Sequence, residues 1–182
     1  MSNKAKIRED AMSLNPIDDA LFCKMAEDIR FCQEILQVIL EDESLKVLSH
    51  VPQFTAKNMQ GRSCILDLKC RLGDSRLEDV EVQKANDDKS DVAALMKVFT
   101  EDNAYDDVKF PFTSSIKRRF KTTEEGVSEM CEVIERNRAE AAEKATEKAI
   151  RNLMDSCKWT IEQAMAALKI PESDYPKYMA ML

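Results

Sequence analysis

Asp67, Glu81 and Gln83 are the residues whose types and spacing could do chemistry together in this chain. They lie in residues 64–84, which alternate on both sides of Gly73-Asp74-Ser75. Cys64, Leu66, Leu68 and Cys70 share one side, and Ile65, Asp67 and Lys69 the other. Downstream, Val80 and Val82 fall on an apolar side, and Asp79, Glu81 and Gln83 lie opposite. Alternation of this period predicts two half-buried strands. Asp and Ser beside Gly, bonding back to the local backbone, predict the turn between them. A hairpin centred on Asp74 sets Asp67 directly across from Glu81, with Cβ atoms about 4.5–5.5 Å apart. Two carboxylates so placed repel, and a divalent cation between them removes the conflict. Hard cations such as Mg²⁺ take oxygen ligands, often one or two protein carboxylates completed by water and substrate phosphate. Gln83, two residues further along the same face, would orient a water or a phosphate oxygen. On spacing alone, two solvated acids in a chain that is 34% charged is the plainer reading.

The pattern Asp67, then Glu81-Val82-Gln83, resembles the D…ExQ variant of the PD-(D/E)XK nuclease motif, in which Gln replaces the usual lysine. Residues 15–22 (Asn-Pro-Ile-Asp-Asp-Ala-Leu-Phe) and Gly61-Arg62-Ser63 extend the likeness. Together these blocks resemble the transposase-like, recombination-promoting branch of those nucleases. The resemblance implies a DNA endonuclease of mobile-element type that uses Mg²⁺, with Mn²⁺ as a substitute. It makes Asp67 and Glu81 metal ligands, puts Gln83 in the lysine's place, and offers Asp19, at the opening of the first helix, as a further candidate ligand. The metal would lower the pKa of the attacking water and stabilise charge on the scissile phosphate. Lys84 falls on the opposite face from this trio, whereas Lys69 shares the face of Asp67. The family's later block, seen here in residues 98–107 and 110–120, follows Gln83 after only a short linker. A helix and a strand normally intervene, so the resemblance implies an internal deletion and an incomplete nuclease core. The alternative, from a different class, is a catalytically dead remnant acting as a helical interaction or assembly protein.

The elements that must position these residues predict an α+β fold. A small mixed sheet would be covered by the N-terminal helix and followed by an all-helical C-terminal half. Residues 1–89 read as the nuclease-like domain, 90–121 as a helical connector with a basic patch, and 122–182 as a long helix with a small helical module. Residues 1–15 read as a polar lead-in with a frayed helical turn. Asp18 then caps one helix running to about Leu40, with Ile17 and Phe22 as a hydrophobic staple. Residues 45–53 read as a first strand ending at Pro52, with His50 partly buried, and residues 54–62 as part of a second strand leading into the hairpin. Lys117, Arg118, Arg119 and Lys121 surround Ile116 and Phe120. They read either as contacts to DNA phosphates or as a solvated face whose apolar pair docks on the body. Thr122 and Glu125 read as a capping box opening the long helix, with Gly126 costing little in its first turn. Its apolar stripe suits an intramolecular helix pair or a homodimer. Thr160 and Gln163 form another capping box, Pro171 stops the helix it opens, and Trp159 is the expected anchor of the last module.

The composition limits the rest. With 182 residues, 44% of them hydrophobic, the chain can bury one modest core. A net charge of −7 opposes bulk affinity for nucleic acid, leaving phosphate contacts to a local basic stripe and a metal. Six cysteines without a CxxC pair, beside one histidine, argue against zinc and suit reduced core thiols. The N-terminus has no signal-peptide core and no apolar run approaches membrane-spanning length, so the expected location is cytoplasmic.

Overall fold

The computed structural model describes residues 3–57, 63–74, 76–80 and 91–181, with the backbone alone for 53–57, 63–67 and 79–80. The chain is α+β and divides into two compact units, Met1–Ile134 and Glu135–Leu182.

The first unit opens with α1 (Asn3–Ser13). The sequence predicts a polar lead-in with at most a frayed helical turn here. Ile7 and Ala11 are nevertheless buried, and Arg8 pairs with Glu124 at 2.5 Å. Tertiary docking makes this helix. The single helix expected over 18–40 is two, α2 (Asp19–Met25) and α3 (Ile29–Ile39). Asp28 divides them: its backbone is extended, and its carboxylate accepts the Arg30 amide at 2.9 Å and so caps α3. Asp18 stands at the N-cap position of α2, but its carboxylate accepts from the Asn15 amide instead, at 2.7 Å.

The sheet contains β1 (Val47–Lys57), β2 (Ser63–Leu72) and β3 (Leu77–Val80), in that spatial order. Among the described residues both pairings are antiparallel, where a mixed sheet is the expectation. Pro52 does not end the first strand. It sits inside β1 opposite Leu68, and residues 54–57 continue the same strand. Among the described residues β1 is an edge strand, where a missing N–H is tolerated. Leu68, Cys70 and Leu72 of β2 are almost fully buried, whereas Val51 and Leu77 on the other face are 48% and 56% exposed. One face is thus covered by α2 and α3, and the other is open at this end.

Helices α4 (Asp91–Thr100) and α5 (Pro111–Thr122), together with the start of α6 (Glu124–Cys157), complete the first unit. Phe99 of α4 stacks on Phe31 at 6.1 Å, and Phe22 meets Phe31 edge-on at 5.7 Å. Leu95, Val98, Phe110, Phe120, Val127, Met130 and Val133 join the same core as α2, α3 and β2. Residues 90–121 are expected as a helical connector, and their described part contributes Leu95, Val98, Phe99, Phe110 and Phe120 to the core that supports the sheet.

Glu34 of α3, only 7% exposed, fixes α5. Its two oxygens accept the Phe112 and Thr113 amides at 3.0 and 2.7 Å, at the second and third positions of a helix whose own N-cap, Phe110, contributes no side-chain bond. The α5–α6 joint is equally tight. Thr123, one residue after the expected cap, accepts the Gly126 amide at 3.1 Å. A Cβ on Gly126 would lie 2.3 Å from the Arg119 carbonyl oxygen and 2.9 Å from Phe120 Cα, so α6 can approach α5 only with glycine there.

In the second unit α6 continues to Cys157, followed by α7 (Ile161–Ala167), a 3₁₀ turn (Glu172–Asp174) and α8 (Tyr175–Met181). The Thr160–Gln163 capping box forms in both directions, at 2.9 and 3.3 Å. Ile150, Ala164, Met165 and Tyr178 make a small separate core. Trp159 is 40% exposed, so Met165 and Tyr178, rather than the tryptophan, anchor the module. Positions 135–142 of α6 are exposed on every side.

Candidate active site

The β2–β3 hairpin pairs Leu68 with Val80, Lys69 with Asp79, Cys70 with Glu78 and Arg71 with Leu77. These pairs are symmetric about Asp74, the centre that the alternation predicts. The turn is held by Asp74, whose carboxylate accepts the Arg76 amide at 3.0 Å and its Nε at 2.6 Å. Local side-chain bonding of this kind fixes loop length, and loop length fixes register. Asp67 is a backbone member of β2, next in line after the last described pair. Its side chain, and Glu81 and Gln83 altogether, lie outside the described residues, as do Gly61, Arg62 and Lys84. Lys69 is half-buried, and its odd-numbered position puts it on the open face.

Asp19 is exposed in the first turn of α2 and accepts from the Cys23 thiol at 3.4 Å. Among the described residues, no group of three or more His, Cys, Asp or Glu is arranged to hold a metal ion. His50 contacts the Glu27 carbonyl oxygen at 3.2 Å through Nε2 and is half-buried, as the sequence suggests. Cys32 and Cys70 are buried side by side, and their mutual hydrogen bond together with burial raises the Cys32 thiol well above its ordinary value. These are inert core thiols.

The four cations of α5 do not form a basic face. Lys117 is fully buried, and its ammonium donates to the carbonyls of Val98, Glu101 and Ala104 at 2.8, 2.5 and 3.1 Å. Three acceptors match the three protons of an ammonium, at the C-terminus of α4 where a cation is favoured by the helix dipole. Burial, reinforced by the charge of Lys121, pushes Lys117 down to about 8. Lys121 is 6% exposed and donates to the Leu14 carbonyl and Asp102 carboxylate, both at 2.6 Å, and to Asn15 Oδ1 at 3.2 Å. This contact holds the Asp102 carboxyl below its usual range. Arg118 pairs with Asp107 at 2.9 Å and lies over the Tyr105 ring, and Arg119 pairs with Glu129. Lys117 and Lys121 are thus out of reach of a phosphate backbone. That corrects the DNA-contact reading for both, and Arg118 and Arg119 each have a carboxylate already.

The same contacts join segments far apart in the sequence. Residues 14–18, 98–107 and 117–121 meet around the two buried ammonium groups, where Ile17 also donates its amide to the Phe99 carbonyl at 3.1 Å. Three of the blocks that carry the resemblance therefore form one polar clamp beside the core. Sequence reading misses it because a KRRFK run gives no sign of which lysines turn inward. The i, i+4 spacing of Lys117 and Lys121 to each other and to Thr113 along one helical face is the signal that was available.

Comparison with protein-family models, curated proteins and solved structures returns no match for this chain.

Proposed function

We propose that the chain is a Mg²⁺-dependent DNA endonuclease of PD-(D/E)XK type, hydrolysing phosphodiester bonds with Asp67 and Glu81 as metal ligands and Gln83 as an orienting group. The observation that carries this reading is the hairpin register. Four consecutive pairs, from Arg71–Leu77 to Leu68–Val80, run symmetrically about Asp74, and this is the register on which the reading that Asp67 faces Glu81 is built. The alternation that buries Leu68 and Cys70 assigns position 67 to the open face, where a duplex can approach. Two carboxylates across a strand pair suit a hard divalent cation, which would supply Lewis acidity and an activated water when bound. On this reading the chain's own part is to supply the two acids from a hairpin whose other face, at Leu68, Cys70 and Leu72, is packed into the core.

A second reading has an observation of its own. All four α5 cations are buried or paired, which fits a remnant whose helices serve interaction or assembly rather than DNA binding. Plasmid nicking in Mg²⁺ or Mn²⁺, with Asp67→Ala and Glu81→Ala run alongside, separates the two. Metal-dependent nicking that disappears in both variants supports the nuclease. Folded wild-type protein that never nicks supports the remnant, and nicking that survives both substitutions removes these residues from the site.

A further inference from the structure

We propose that Arg71 is a DNA-phosphate anchor on the open face of the sheet; the inference rests on the nuclease reading and names a contact that the α5 cluster cannot supply. Arg71 lies on β2 between Ser49 and Leu77, its register neighbours on the two flanking strands. It is exposed, Ser49 is exposed, and Leu77 is 56% exposed, so nothing among the described residues covers this part of the face. The other described arginines of the first unit all have a carboxylate: Arg8 with Glu124, Arg30 with Asp28, Arg76 with Asp74, Arg118 with Asp107 and Arg119 with Glu129. Arg71 has none among the described residues. Acids outnumber bases by 34 to 27 in this chain, so an arginine is not left alone for want of partners.

Its position suits the substrate. Arg71 and Asp67 are four residues apart on one strand and therefore on the same face, about 13 Å from each other. That span is about four base steps along a duplex rising 3.4 Å per step, close enough for one backbone to pass both. A guanidinium grips phosphate bidentately, and its stem can lie along the apolar surface offered by Leu77. A contact of this sort sets register on the duplex and carries no base preference.

The test is fluorescence anisotropy of a short labelled duplex with the full-length protein, in Ca²⁺ to keep binding apart from cleavage, over a salt titration. Arg71→Gln should lower the magnitude of the slope of log affinity against log salt by about 0.9, the loss of one phosphate contact. Arg71→Lys should restore the slope, and Arg76→Gln, which removes a hairpin cation already held by Asp74, should leave it unchanged. A wild-type slope in folded Arg71→Gln overturns the assignment while leaving Asp67-dependent nicking, and so the nuclease reading, intact. Wild-type protein that neither binds nor nicks DNA overturns both.

Discussion

Replacing Glu34 with alanine should destabilise the first unit by about 3 kcal/mol. The carboxylate is buried and accepts two amides, at 3.0 Å from Phe112 and 2.7 Å from Thr113. Loss of an N-cap side chain costs roughly 0.5–2 kcal/mol. Here the cost lies toward the upper end and beyond, because the acceptor is charged and the Thr113 amide is buried, so water cannot take its place. An unsatisfied buried donor adds about 1–3 kcal/mol. The Phe112 amide is only partly buried, and hydration offsets part of its loss. Glu34→Gln keeps one acceptor and loses the charge facing the helix N-terminus, for a cost of about 1 kcal/mol. Urea unfolding followed by far-UV circular dichroism measures both variants. The fluorescence of Trp159, the single tryptophan, reports the second unit, whose core is separate, and its transition should stay where it is in the wild type. Glu43→Ala, at an exposed acid, is the control and should stay within about 0.5 kcal/mol. If Glu34→Ala behaves like that control, the long-range cap does not hold α5, and the account of how residues 110–122 dock is wrong.

Gly126→Ala should cost about 2 kcal/mol or more, since the added methyl meets backbone at 2.3 Å and the α5–α6 joint must open; a melting temperature unchanged from wild type would refute the close approach. Lys117 gives a pH dependence. Its folded value of about 8 lies below the ordinary 10.5, so between those limits the unfolded chain holds a proton that the folded chain has released, and stability rises with pH. Cys32, with a raised folded value, acts in the opposite sense above about 9, so the quantity to read is wild type minus Lys117→Met. That difference in urea midpoint should grow from pH 8 to 10.5, and a flat difference would mean that Lys117 stays charged throughout.

The features that were legible in the sequence are those whose causes are local. The β2–β3 hairpin follows from period-two alternation and from an Asp that bonds to the amide two residues on, and its register about Asp74 comes out of the same few residues. The Thr160–Gln163 box needs only two side chains three positions apart. Of the candidate site, the register of residues 68–71 with 77–80 was legible in the sequence, and Glu81 and Gln83 lie outside the described residues.

What the tertiary structure decided depends on which element ends meet. Helix α1 carries no stripe and forms because α5 and Glu124 are there to receive it. Pro52 can lie within β1 because, among the described residues, that strand is paired on one side only, which its neighbours in sequence do not reveal. Lys117 and Lys121 look like surface cations until helix α4 and the residue 14–18 turn place carbonyls around them. Gly126 reads as a glycine that costs little in its helix, yet a carbonyl seven residues back makes it necessary, and the burial of Glu34 is made necessary by a helix start 78 residues away. Sequence by itself determined the hairpin, its register and the residue types on its open face, because backbone sterics and neighbouring side chains suffice for these. Only the folded chain decided which charges turn inward, since an ammonium or carboxylate is buried where distant backbone groups replace its water.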